Sequence, residues 1–382
     1  MKIVNFAGFR TQAKKRLPRF LFEYIDGGSY NEHTLHRNSE DFRSVTLRQR
    51  VLRDVSNIRT ATRLFGRDMA MPVALAPIGI AGFYRRRGEV QAVRAAEAAG
   101  VPLVLSTMSC CPVEEVRAAS RSPFWMQLYM IRDRGFMKDL LVRVEKAGID
   151  TLFLTVDLAI NGIRYRDRIG GLAGSQSLVA RPDRLFDILF HPAWALDVGL
   201  LGRPLIIGNV APAMPNGAGL EQFQAWVARN FDPSVTYKDI AWLRDRWKGK
   251  LVLKGITDPG DAARAAEEGM DGIVVSNHGG RQLDGALSSI AALPAVRDAV
   301  AGRMTIMLDG GVRSGLDVLR ALALGADGVL LGRAWAWALA AGGEAGVATM
   351  LAIIKEELEV AMALTGQNDV RALDSDLAIT RP

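Results

Sequence analysis

An imidazole and a guanidinium three residues apart, His278 and Arg281, stand in the stretch Ser276-Asn277-His278-Gly279-Gly280-Arg281-Gln282-Leu283-Asp284-Gly285-Ala286. The imidazole can move a proton near neutral pH, and the guanidinium can grip a carboxylate through two parallel hydrogen bonds. The glycines between them let the backbone approach a ligand closely, although the same four residues could also form an ordinary turn. Asp157, two residues after Thr155, could orient the imidazole and stabilise its protonated form. Arg164 supplies a second guanidinium, and two arginines facing one small ligand point to a carboxylate. Lys254, in Leu251-Val252-Leu253-Lys254-Gly255, offers a cation that could stabilise negative charge on a cofactor ring or form a Schiff base. Tyr24, just before Gly27-Gly28, reads on its own as a packing residue.

These residues need a scaffold that gathers them, and the pattern of the chain describes one. From residue 70 onward a helical segment repeatedly reaches a glycine, and a short apolar strand follows, as in Glu97-Ala98-Ala99-Gly100-Val101-Pro102-Leu103-Val104 and Leu324-Gly325-Ala326-Asp327-Gly328-Val329-Leu330-Leu331. Glycine suits a helix C-terminus, and uniformly apolar strands suit a parallel sheet buried on both faces. The strands fall at Val73–Pro77, Leu103–Ser106, Trp125–Tyr129, Thr151–Asp157, Leu251–Lys254, Gly272–Asn277, Thr305–Asp309 and Gly328–Gly332. Eight such units predict an α/β fold, a single (β/α)8 TIM barrel over 70–365 behind an N-terminal helical cap over 1–65. Its active face would then collect Ser106, Gln127, Tyr129, Thr155, Asp157, Lys254, Ser276, His278, Asp309 and Arg333 at strand C-terminal ends. Asp309-Gly310-Gly311-Val312-Arg313 and Gly332-Arg333 close strands seven and eight, where many barrels bind phosphate, so a phosphate-bearing ligand is expected.

The spacing breaks once, between Asp157 and Leu251, with a helix expected over 237–248. The remainder is too long for a structureless loop unless it has a role of its own. Its segment at about 172–215 carries the apolar runs Leu185–Phe190 and Trp194–Leu201 beside Arg181, Arg184 and Arg203, which fits a lid, a subunit contact or an interfacial membrane contact.

The composition sets outer limits. With 382 residues and 49% hydrophobic content the chain can bury a large core, and its net charge of +7 comes from scattered Lys and Arg. That scatter, without basic blocks interleaved with aromatics, points away from nucleic acid. Cys110 and Cys111 are adjacent and imply no disulfide framework, which suits a reducing cytoplasm. The four histidines and two cysteines show no Cys/His zinc-ligand spacing, so no metal is expected, and neither a signal peptide nor a membrane span is apparent.

The Ser276–Asp284 stretch matches throughout the signature of the FMN-dependent L-2-hydroxy acid oxidase and dehydrogenase family, which the chain resembles from about Phe6 to Thr365. The resemblance implies FMN as cofactor and oxidation of an L-2-hydroxy acid to a 2-oxo acid. It implies His278 as proton acceptor with Asp157 as its partner, Arg164 and Arg281 on the substrate carboxylate, and Tyr24 and Tyr129 in contact with substrate. Catalytic roles then fall to His278, Asp157, Tyr129 and Lys254. On the flavin side it places Pro77, Ile78, Gly79, Ser106, Gln127, Thr155, Lys254 and Ser276, with Asp309, Gly310, Gly311, Arg313, Gly332 and Arg333 toward the phosphate.

Within the family, Gly82–Gln91, Arg132–Met137 and Trp194–Leu200 look most like the bacterial L-lactate dehydrogenases. Asn161-Gly162 resembles the mandelate enzymes, and Met108 leaves more room than the tryptophan of glycolate oxidase. Gly79 stands where oxidases tend to have alanine, which leans toward a quinone or cytochrome as electron acceptor. L-Lactate is therefore the expected substrate, with (S)-mandelate, or a peroxide-forming oxidase, as the alternative. The resemblance further implies a homotetramer and a peripheral location on the inner face of the cell membrane, through the insertion. Another phosphate-binding barrel, such as a flavin-dependent isomerase, would share the cradle and Lys254 but would not need two arginines beside His278.

Overall fold

The computed structural model describes residues 3–170, 182–214, 226–227 and 229–379. Eight parallel strands form the centre: β1 Val73–Leu75, β2 Val104–Leu105, β3 Trp125–Tyr129, β4 Thr151–Thr155, β5 Lys250–Ile256, β6 Gly272–Val275, β7 Thr305–Leu308 and β8 Gly328–Leu331. Each pairs with its neighbour in sequence, β8 pairs with β1, and a parallel bridge between Leu75 and Leu103 closes the ring. The expected (β/α)8 barrel is the fold. The strands are shorter than their apolar runs suggest at several C-terminal ends, so Asp157 lies two residues beyond β4 rather than within it. Lys254 does not end β5, which continues across a bulge at Gly255 to Ile256. The helix before β5 spans Tyr237–Arg246 and is started by Thr236 and Asp239, which bond reciprocally across its first turn.

The strand period of two explains how one interior serves two purposes. Ala74, Val104, Trp125, Phe153, Val252, Val274, Met307 and Leu330, one from each strand, form a buried apolar cluster inside the barrel. Two residues further along the chain stand Ala76, Ser106, Gln127, Thr155, Lys254, Ser276, Asp309 and Gly332. Apolar filling thus gives way to polar groups within one step of the pleat. Below the apolar layer, the hairpin of Thr62–Leu64 and Arg67–Met69 puts Phe65 edge-on against Trp125 and Phe153, with ring centroids 5.5 and 5.9 Å away. Chemistry is left to the opposite end.

The cap comprises the helices Phe6–Arg16, Arg19–Asp26 and His33–Ser44. Helix Arg333–Leu364, broken at Gly343 where φ is 62°, is long and apolar enough to cross a membrane, yet 56% of its apolar window is buried. It packs against Phe6–Arg16, Gly88–Ala98 and Gly315–Ala323, as a core helix of the barrel's outer layer. The long connection after β4 includes helices Tyr165–Ile169, Pro182–Leu189 and Pro192–Trp194, the last continuing as a wider turn to Leu200. Trp194 pins it down: its indole donates to the Phe83 carbonyl at 2.8 Å and meets Phe20 edge-on. Asp197 adds ion pairs with Arg16, Arg85 and Arg86 at 3.2, 3.3 and 3.7 Å. Arg181 lies outside the described residues.

Candidate active site

The barrel's C-terminal face opens into a cavity of about 790 Å³. Tyr24, Pro77, Ile78, Gly79, Tyr129, Thr155, Arg164, Lys254, His278, Arg281, Asp309, Gly310, Gly311, Arg313, Gly332 and Arg333 all line it. The structure therefore brings together most of the residues singled out in the sequence. Ser106, Gln127 and Ser276 are buried just beneath and are not part of the lining. They support it: Gln127 accepts from the Ser106 hydroxyl at 3.2 Å and donates to Thr155 Oγ1 at 2.9 Å, while Ser276 accepts from Lys254 Nζ at 3.0 Å.

His278 Nδ1 lies 2.9 Å from Asp157 Oδ1. With that nitrogen donating its proton to the carboxylate, Nε2 keeps a lone pair and is the free basic position. Burial pushes the His278 pKa below the ordinary histidine value, and the Asp157 charge only partly opposes this. Burial alone would raise the Asp157 carboxyl, but the neighbouring His278 and Lys254 outweigh it and hold the carboxyl below the usual range. The stable arrangement is a neutral imidazole backed by an ionised carboxylate, a poised general base. His278 itself has φ of 58°, a left-handed conformation that non-glycine residues rarely adopt and that turns the chain sharply at the end of β6. The two glycines after it are not equivalent. Gly279 lines the cavity, whereas at Gly280 a Cβ would stand 2.6 Å from the Leu35 amide, so it serves close packing on the cap.

Arg281 and Arg164 are both held in place by backbone carbonyls. Arg281 donates to the carbonyls of Tyr24 and Gly27 at 2.5 and 3.0 Å and lies over the Tyr24 ring at 4.7 Å. Arg164 donates to the Arg281 carbonyl at 3.0 Å and to Gln282 Oε1 at 3.2 Å. Burial and the adjacent Arg281 depress the Arg164 pKa to about 10. Tyr129 stacks on Phe231 at 4.8 Å, and burial raises its phenol, which therefore stays protonated as a donor. Lys254 pairs with Asp309 at 2.9 Å; burial would lower its pKa, but Asp309 and Asp157 outweigh that and keep it charged.

Around the cradle the two arginines differ. Arg333 donates to the carbonyls of Ile25, Gly279 and Gly27 at 2.9, 2.8 and 2.8 Å, and so brackets the cap to the His278 loop. Arg313 stacks on Trp337 at 5.0 Å, burial depresses it to about 10, and it forms no ion pair among the described residues. A cation so placed calls for an anion. Asp309 Oδ1 is buried without a hydrogen-bond partner among the described residues. Gly332 leaves open space where a Cβ would stand. A phosphate-bearing group with hydroxyl donors fits what these residues leave unsatisfied.

Sequence reasoning missed Asp167 and Tyr84, which also line the cavity. Asp167 had a legible signal, three residues after Arg164 and hence on the same face of a helix. Tyr84, whose hydroxyl donates to the Gly79 carbonyl at 3.2 Å, had none.

A closed parallel barrel whose mouth gathers a base, two arginines and an unsatisfied anion cradle is the site of an enzyme that takes an anionic substrate and a phosphate-bearing ligand. The chain belongs to the FMN-dependent dehydrogenase family, whose model matches residues 13–380, and its cofactor is FMN. It is 57% identical over 381 residues to an L-lactate dehydrogenase of Caulobacter vibrioides, covering 100% of this chain and 99% of that protein. To an L-lactate dehydrogenase of Pseudomonas aeruginosa it is 54% identical over 368 residues, covering 96% of each. Among solved structures it matches the monotopic membrane protein (S)-mandelate dehydrogenase with a TM-score of 0.94 at 34% identity, covering 100% of both chains. A mandelate oxidase with (S)-4-hydroxymandelic acid matches with a TM-score of 0.84 at 36% identity, over 99% of this chain and 98% of that one.

Proposed function

We propose that this enzyme oxidises L-lactate to pyruvate and passes the electrons to a quinone or cytochrome. The observation that carries the reading is the His278–Asp157 pair at 2.9 Å, whose His278 lines a cavity that also presents Arg164 and Arg281. The full-length relatives at 54–57% identity are L-lactate dehydrogenases, which favours lactate over the mandelate suggested by the structural match and by Asn161-Gly162.

In this reading Arg164 and Arg281 hold the substrate carboxylate, and Tyr24 and Tyr129 border it. The protonated Tyr129 phenol donates a hydrogen bond to an oxygen of the substrate. His278 Nε2 removes one proton, either that of the hydroxyl as hydride leaves Cα or that of Cα itself with the hydroxyl proton lost afterwards, and Asp157 stabilises the imidazolium that forms. When bound, FMN would supply the two-electron uptake that the oxidation requires. Lys254 supplies positive charge for that uptake. Asp309, Gly310, Gly311, Arg313 and Gly332 would hold the ribityl and phosphate end, and Pro77, Ile78, Gly79 and Thr155 the ring end, with Ser106, Gln127 and Ser276 supporting from below.

The insertion supports a peripheral membrane location on the inner face of the cell membrane. Phe186, Leu189, Phe190, Leu196, Leu200 and Leu201 are all more than half exposed, an apolar surface that suits burial at a lipid interface. None of the described residues at 182–214 lines the cavity, which favours membrane contact over a lid for that segment. A homotetramer is the assembly proposed. Anaerobic reduction of the flavin by L-lactate, glycolate and (S)-mandelate, each followed by reoxidation with air or a quinone, tests the assignment. Rapid bleaching by L-lactate and reoxidation by quinone are expected; faster bleaching by mandelate, or by no hydroxy acid, would overturn it.

A further inference from the structure

Behind the two arginines stands a third charged group to which the proposed mechanism gives no part. Asp167 lies on the short helix Tyr165–Ile169, one turn after Arg164, with its side chain 6% exposed and turned into the cavity wall. Its Oδ2 is 3.6 Å from Arg164 Nη1 and 3.9 Å from Arg281 Nη2. Both separations exceed hydrogen-bond length. Its Oδ1 and Arg281 Nη2 are each buried without a hydrogen-bond partner among the described residues.

A carboxylate beside a guanidinium ordinarily closes to a short, two-pronged contact. The adjacent Arg166 behaves that way, reaching Asp26 at 3.0 Å and Glu32 at 3.3 Å. Arg164 and Arg281 are instead held off Asp167, because their other nitrogens are tied to the carbonyls of Arg281, Tyr24 and Gly27 and to Gln282. At these separations Asp167 acts on them chiefly through its charge; burial raises its carboxyl above the ordinary value, and the two arginines oppose that. Two guanidiniums and one carboxylate leave a local charge of +1, which one monocarboxylate neutralises and a dianion overshoots.

We propose that Asp167 is the resident counter-ion of the carboxylate site: it sets the local charge to suit a monocarboxylate, limits how tightly the 2-oxo acid product is retained, and disfavours dianions. It is a positioning and specificity residue, acting through Arg164 and Arg281 and touching no reacting atom. The inference rests on the reading that these arginines hold the substrate carboxylate.

Isothermal titration calorimetry of pyruvate and of oxalate into the flavin-loaded enzyme tests it without turnover, with Asp167→Asn, Asp167→Ser and Asp167→Glu compared with the parent. The neutral variants are expected to bind pyruvate about tenfold more tightly, the equivalent of about 1.4 kcal/mol, and to gain more for oxalate than for pyruvate. Asp167→Glu restores the charge and should return affinities to near the parent's. In turnover, KM and the pyruvate inhibition constant should fall together in the neutral variants. A purely structural Asp167 would weaken binding instead, so unchanged or weaker affinity in whichever neutral variant retains flavin overturns the proposal. If the parent itself binds neither anion, it is the assignment of Arg164 and Arg281 that fails.

Discussion

The barrel mouth and the insertion after β4 both invert the usual distribution of side chains, in opposite senses. At the mouth, Lys254 and Asp309 are 4% and 6% exposed, and their charges are tolerated because they pair with each other at 2.9 Å, with Ser276 and Asp157 supporting the ammonium. In the insertion, Phe186, Leu189 and Phe190 are 62%, 73% and 81% exposed among the described residues. Buried charge is costly unless satisfied, and clustered exposed apolar area is costly unless covered. Each region retains that cost where a ligand can relieve it: a charged cofactor and substrate in one case, a lipid surface in the other.

The contrast implies that damage at the mouth should abolish chemistry and damage at the insertion should spare it. His278→Gln should retain FMN but reduce it roughly 10²–10⁴-fold more slowly with L-lactate in anaerobic stopped flow, the range ascribed to a general base. Equal rates would remove His278 from its role. Because burial holds the parent's imidazole below the ordinary histidine pKa, its kcat/KM should fall only as pH drops through a value under about 6.5. The direction follows from the neutral form being the base: activity is present above the pKa and lost below it.

Lys254→Met should destabilise the fold by about 3–5 kcal/mol, because it leaves Asp309 buried and unpaired. Thermal melting and flavin content would show it, and an unchanged melting temperature would mean that the pair is not needed to support the cradle. The smallest catalytic effect is expected from Phe186→Ser with Phe190→Ser. Turnover in solution should stay within about twofold, since neither residue lines the cavity. Sedimentation with anionic vesicles should fall at least tenfold, given about 1.5–3 kcal/mol for burying each ring. Loss of turnover with retained vesicle binding would reverse the comparison.

Much of this was legible before any coordinates. The alternation of helix, glycine and apolar strand specified eight βα units, because parallel strands buried on both faces must be apolar throughout. The His278–Arg281 spacing and the Asp309–Arg313 run marked the chemistry by residue type. Other features were not legible. Nothing in Ser106, Gln127 or Ser276 distinguishes a lining residue from one hydrogen-bonded just below it, since both sit at the same inward position of a strand. The glycine at 280 looked like an approach to ligand and is instead an approach to Leu35, more than two hundred residues away in sequence.

By itself, then, the sequence determined the fold class and the end of the barrel that carries the site, which follow from local period and residue type, and the family, through the resemblance carried by Ser276–Asp284. Tertiary structure decided which groups meet: that Arg333 is spent on three carbonyls while Arg313 is left without a carboxylate, and that Asp167 stands beside two arginines without closing on them. These depend on where cap, loop and strand ends converge in space. Pairing energies and pKa shifts are set by distances of a few ångströms between segments far apart in the chain, and no local pattern encodes those distances.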